Sequence, residues 1–183
     1  SGNGHYARCF QNPVLVASRK VNALYCEGNY CVAQNSVYFY HSLLTVEAVV
    51  KLTSYPDADM SPLPHMMIVS TIDWSGDFCK GYELRISGSD GKVEFIFGDD
   101  HWWHYAVSEK SLPLNEWHTL AGQYDGKRIS VYVDGQLWAE TFYESTIKQC
   151  ATDFGIGRRL IDQPFYFNGE IDEIAVSKMI RYE

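Results

Sequence analysis

The feature that most constrains this chain is the stretch at residues 115–135, NEWHTLAGQYDGKRISVYVDG. Two apolar-rich runs, Trp117 to Tyr124 and Ile129 to Val133, are separated by Asp125-Gly126-Lys127. Asp-Gly between such runs signals a tight turn, because glycine supplies positive φ without a steric penalty. Ile129, Val131 and Val133 alternate with Ser130, Tyr132 and Asp134, so the second run has one apolar and one polar face. Asp134-Gly135 then turns the chain into Gln136 to Phe142. The stretch therefore predicts a meander of three antiparallel strands.

The remaining segments read the same way. Ala23 to Val32 is expected to be a strand, a Glu-Gly-Asn turn and a second strand. In Leu43 to Leu52, Val46, Ala48 and Val50 form one face of a strand; the β-branched residues and period two argue against a helix. Residues 54–64 form a loop rich in proline and acid, Met66 to Ile72 a strand, and residues 73–81 a second long loop. Tyr82 to Ile86 and Lys92 to Phe97 make a hairpin, followed by a strand from Trp102 to Val107. Beyond the meander come Phe154 to Gly157, a loop at 158–164, and strands at 165–167 and 171–177. Roughly a dozen short strands at this spacing predict an all-β sandwich. The length suits one domain across 1–183, with 1–20 as an N-terminal lead-in.

Charge narrows the partners. The net charge is −8 and no Lys/Arg cluster occurs, which argues against nucleic acid, whose phosphates require a basic face. No apolar run approaches the roughly 20 residues of a membrane helix, so no membrane insertion is expected. The five cysteines form no Cys-x-x-Cys pair. Scattered through an aromatic-rich β domain, they read as one or two disulfides plus a leftover thiol in an exported, extracellular or cell-surface protein. The competing reading is a set of reduced, buried thiols. Cys26 and Cys31 flank the turn at 27–30 and could face each other across a hairpin.

Four motifs carry a resemblance to a known family. They are the central Trp-His, Tyr-Asp-Gly and Val-Tyr-Val-Asp-Gly series, the early strand at Leu43 to Val50, Phe154-Gly-Ile-Gly157, and Phe167-Asn-Gly-Glu-Ile-Asp-Glu-Ile-Ala-Val176. In this order they resemble laminin-G-like domains of the concanavalin A-like lectin/glucanase superfamily. The resemblance implies a concanavalin A-like jelly-roll β-sandwich of two antiparallel sheets, one concave. It also implies a structural Ca²⁺ held by Glu27, the carbonyl of Gly28 and Asp172, where many relatives have Asp-Gly in place of Glu27-Gly28. Such an ion needs about 6–8 oxygen ligands, so backbone and water would complete its shell.

The superfamily holds binding modules, adhesion domains and polysaccharide-degrading enzymes, so function must be read from sites. Glu170-Ile-Asp-Glu173 superficially resembles the catalytic strand of the hydrolases, but its spacing is wrong for two carboxyl groups about 5–5.5 Å apart on one side. By strand parity Glu173 should point away from Glu170 and Asp172. Tyr82-Glu-Leu-Arg85 matches a fragment of the lyase relatives' pattern, without their Gln-x-His. The reading leans away from an enzyme.

Parity instead gathers a binding surface. With Leu84, Ile86, Val93, Phe95 and Phe97 inward, Arg85 and Glu94 fall on the opposite face. With Trp103, Tyr105 and Val107 taken as inward, Trp102 and His104 join them, and Tyr132 is outward by the same rule. Trp74, in an Asp/Ser/Gly loop, is a candidate exposed platform. Aromatic faces beside polar groups suit a sugar ring, which is apolar on its faces and hydroxylated at its rim. The expected function is a non-catalytic carbohydrate-binding module recognising a poly- or oligosaccharide. The alternatives are an adhesion domain with a protein partner or, further off, a hydrolase or lyase.

Overall fold

The computed structural model describes residues 6–11, 14–16, 23–36, 39–59, 64–73, 79–161 and 165–183. Fourteen strands occur among the described residues: β1 Ala7–Phe10, β2 Val14–Val16, β3 Ala23–Glu27, β4 Tyr30–Ala33, β5 Leu44–Leu52, β6 His65–Ser70 and β7 Tyr82–Ser87, then β8 Lys92–Gly98, β9 Trp103–Ser111, β10 Trp117–Tyr124, β11 Arg128–Val133, β12 Gln136–Phe142, β13 Phe154–Ile156 and β14 Asn168–Ser177. They form two antiparallel sheets of seven strands. Sheet A has the order β1-β4-β13-β6-β7-β8-β9, and sheet B the order β12-β11-β10-β5-β14-β3-β2. This is a jelly-roll sandwich.

The expected meander is present as β10-β11-β12, with Gln123 opposite Ser130 and Val131 opposite Ala139. Beside it, β10 pairs with β5 along eight registered positions, from Trp117↔Lys51 to Tyr124↔Leu44. The inward faces interdigitate between the sheets. Val46, Ala48, Val50, Leu120, Ile129, Val131 and Val133 from sheet B meet Leu84, Ile86, Val93, Phe95 and Phe97 from sheet A. Gly122 belongs to this packing, since a Cβ there would collide with the Phe95 ring.

The lead-in is more structured than its sequence pattern suggests. β1 and β2 are edge strands of opposite sheets, pairing with β4 and β3 respectively. The predicted hairpin at residues 23–32 is also corrected. β3 lies in sheet B and β4 in sheet A, so the turn at Gly28 (φ 83°) carries the chain across the sandwich. Cys26 and Cys31 thus never face each other as strand neighbours. Cys31 instead stands opposite Cys9 in the β1–β4 ladder and forms a disulfide with it, while Cys26 is a buried free thiol whose pKa burial pushes up to about 12.

Candidate functional site

The sheet A outer face is built from the residues that alternate with the core. On β7 and β8 these are Glu83, Arg85 and Glu94, with Arg85 directly opposite Glu94. Arg85 donates from Nε and Nη2 to the two oxygens of Glu94 at 3.1 and 3.0 Å, and from Nη1 to Glu83 at 3.0 Å. Glu83 also accepts both Arg159 bonds at 2.7 Å and the Ser70 hydroxyl at 2.7 Å. Burial raises the Glu83 pKa, but Arg159, then Arg85 and Ser70, more than offset this and hold it below the usual carboxylate range.

This network is closed to solvent. Glu83, Arg85 and Glu94 are 0%, 6% and 5% exposed. Arg159 lies over the Phe165 ring at 4.9 Å, and His65 meets the same ring edge-on at 6.0 Å. Burial, followed by the Arg85 charge, lowers the His65 pKa to about 4, so the imidazole is neutral at pH 7. The pair Arg85 and Glu94 was correctly placed on one outer face by parity. However, Arg159 and Phe165 cover that face, so both side chains are internal.

β9 shows the opposite parity to that expected. Ala106 pairs with Phe95 and enters the core, and His104 pairs with Phe97, whereas Tyr105 stands opposite Ile96 and Val107 opposite Glu94 on the outer face. His104 is therefore inward at the sandwich rim, stacked on Tyr143 at 3.4 Å between centroids. Trp103, Tyr105 and Val107 are outward, with Tyr105 52% exposed. In a run of Trp-Trp-His-Tyr-Ala-Val, the smallest residue anchors the core and the aromatic ones border it. Tyr105 was missed for that reason.

The rim presents the most exposed tryptophan among the described residues. Trp102 is 71% exposed, in the turn between β8 and β9. Asp99 fixes that turn: its Oδ1 accepts from the amides of His101 and Trp102 at 3.0 and 2.8 Å, a side-chain mimic of a backbone turn. Its Oδ2 faces His104 Nε2 at 2.9 Å, Tyr143 Oη at 3.3 Å and Ser145 Oγ at 3.2 Å. Burial acts to raise the Asp99 pKa, but the two amides and His104 override it and bring it to about 2. Asp100 adds ion pairs with Lys148 and Lys80 at 3.0 and 3.7 Å. The result is an exposed tryptophan on a fixed turn beside charged hydrogen-bonding groups.

Tyr132 does not share this surface. It belongs to β11 in sheet B, where it is 5% exposed and stacked on Tyr182 at 4.7 Å. Trp117 also faces outward there, opposite Lys51, rather than into the core. Trp74 lies outside the described residues. A stack of Tyr30, Arg158 and Tyr166 borders sheet A at the other end, with Arg158 at 4.7 and 5.2 Å from the two rings. Pattern reading missed this stack because its members come from distant segments.

The residues named for calcium do not converge. Glu27 pairs with Asn168, four residues along β14 from Asp172, a strand distance of roughly 13 Å. Glu27 accepts from Tyr25 at 3.1 Å, and Asp172 accepts from the Glu173 amide at 2.8 Å. One ion with oxygen ligands at about 2.3–2.6 Å cannot take both. Among the described residues, no three His, Cys, Asp or Glu side chains are grouped to hold a metal.

Residues 27–181 match the family model of a laminin G domain, described as concanavalin A-like lectin/glucanases superfamily. The chain belongs to this superfamily. No curated protein sequence matches it. Among solved structures, this superfamily member is similar to domain 4 of AbnA, a GH43 extracellular arabinanase from Geobacillus stearothermophilus, in complex with arabinotriose: TM-score 0.72, 15% identity, 93% of this chain and 81% of that one. It is also similar to the CBM40 of Ruminococcus gnavus IT-sialidase bound to α2,3-sialyllactose, with TM-score 0.64, 16% identity and 80% of each chain covered. The binding domain of botulinum neurotoxin DC in complex with SialylT gives TM-score 0.68 at 12% identity, over 97% of this chain and 44% of that one. At these identities the likeness is one of fold.

Proposed function

We propose that this domain is a non-catalytic carbohydrate-binding module of a secreted or cell-surface protein. It seats an oligosaccharide against Trp102 and the neighbouring aromatic border of sheet A. The observation that carries this reading is Trp102 itself, 71% exposed on a turn locked by five hydrogen-bond contacts to Asp99. The exposed indole offers an apolar face to a sugar ring, the fixed turn limits the backbone ordering that binding costs, and Asp100, Lys80 and Lys148 offer hydroxyl partners beside it. Arabinotriose and sialyllactose in the related domains support an oligosaccharide as the ligand class. The Cys9–Cys31 disulfide supports an oxidising compartment.

A structural calcium ion stays in the proposal as a stabiliser, with ligands other than a Glu27–Asp172 pair. The test of the main reading is tryptophan fluorescence during titration with arabino-oligosaccharides, sialyllactose and a plant polysaccharide panel. Trp102→Ala is expected to weaken binding about 10- to 100-fold, the loss of roughly 1–3 kcal/mol of stacking and hydrogen-bond energy. A folded wild-type domain that responds to no glycan would shift the assignment to a protein-docking domain. Polymer cleavage with released reducing ends would make it an enzyme.

A further inference from the structure

The outer face of sheet B carries a groove unconnected with Trp102. It has a volume of about 400 Å³ and is lined by Glu47, Val49, Thr119, Glu173, Ile174 and Arg181 among others. Two features of the chain make it. β14 carries a bulge between Asp172 and Ala175, with Glu173 in the left-handed region at φ 47°. That extra residue brings Glu173 to the outer face, where strict alternation would have turned it inward. The C-terminal segment after β14 forms the other wall. Its Arg181 and Tyr182 backbone amides donate to the Gln123 side-chain Oε1, and Gln123 Nε2 donates to the Tyr182 backbone carbonyl.

The groove's chemistry is specific. Arg181 Nη1 lies 2.8 Å from Glu47 Oε2, and Tyr182 donates to Glu47 Oε1 at 2.7 Å. The pair sets guanidinium donors and carboxylate acceptors side by side with their charges mutually compensated. Arg181 keeps five N–H donors in a fixed fork, more than this pair consumes. The floor adds the Thr119 hydroxyl, which can both donate and accept, next to apolar Val49 and Ala175. A vicinal diol matches such a donor–acceptor pair, since each hydroxyl gives one hydrogen bond and takes another. The C–H face of the same ring would cover the apolar floor. The volume falls within the range of about 300–1,000 Å³ typical of small-ligand sites.

We infer that this groove is a second saccharide site, selective for a neutral monosaccharide unit with vicinal hydroxyls, so that the domain is bivalent across its two sheets. It goes beyond the Trp102 reading and stands or falls separately.

The probes are the methyl glycosides of L-arabinose, D-galactose and D-glucose, with D-glucuronate as the anionic control. Amide chemical shifts of ¹⁵N-labelled domain are followed during titration. Saturable shifts at Thr119, Ala175 and Arg181 are expected with at least one neutral glycoside, and unchanged in Trp102→Ala. Thr119→Val, which keeps the shape and removes the hydroxyl, should weaken them at least fivefold. Ala175→Trp, which fills the groove, should abolish them at an unchanged Tm. No saturable shift at these three amides with any neutral glycoside overturns the inference. So do shifts with glucuronate alone, or shifts undiminished in the folded Thr119→Val protein.

Discussion

The two outer faces each carry an Arg–Glu arrangement, and the two are opposite in kind. On sheet A, Glu83, Arg85, Glu94 and Arg159 interlock beneath Phe165 and are at most 6% exposed. On sheet B, the Arg181 and Glu47 side chains are 46% and 14% exposed at the edge of an open groove. The same residue types therefore do different work. Closed over, they become part of the interior, where each charge depends on its partner; left open, they keep hydrogen-bonding capacity for a ligand.

Substitution should separate the faces by stability first. Glu83→Gln leaves two buried guanidinium groups short of an anion and is expected to cost about 3–5 kcal/mol in urea unfolding. Glu47→Gln leaves Arg181 partly hydrated and should stay within about 1 kcal/mol. Equal losses from the two variants would erase the distinction.

The rim lies between these extremes. The Asp99 pKa is depressed from 3.8 to about 2, so its contribution to stability is complete above pH 4 and is lost as pH falls through 2. Asp99→Ala should cost about 1–2 kcal/mol near pH 6, by analogy with the loss of other side-chain caps. Urea midpoints of the two proteins should then converge between pH 4 and pH 2. A constant gap would mean that the turn is held by something other than the carboxylate. The smallest effect expected is none: Glu27→Gln and Asp172→Asn should leave the change in Tm on adding EDTA identical to wild type. A response lost in both variants would restore those residues as calcium ligands.

Much of the fold was legible because its signals are local. Asp125-Gly126 and Asp134-Gly135 specify their own turns, and Val46, Ala48 and Val50 specify their own face. Sheet membership is a long-range property. Nothing within Tyr25-Cys26-Glu27-Gly28-Asn29-Tyr30 announces that its two strands part company, and nothing within β11 places Tyr132 behind the sandwich. Local alternation also fails where every residue is amphipathic, as at Trp103-His104-Tyr105, whose facing is decided by Ala106 packing with Phe95. Parity places Arg85 and Glu94 on one face, but their burial depends on Arg159 and Phe165, more than sixty residues away in sequence. The β14 groove could be foreseen only from an αL residue in the middle of a strand, which sequence does not mark when that residue is glutamate.

The crossover at Gly28 also has a mechanical consequence. An edge strand such as β1 is ordinarily peeled away under tension one hydrogen-bonded pair at a time. Here the Cys9–Cys31 bond passes the load directly to β4, and β4 is joined through a two-residue link, Gly28-Asn29, to β3 in the opposite sheet. Force applied at the N-terminal edge is thus shared by both layers, and the sandwich resists it as a clamp until the disulfide is reduced.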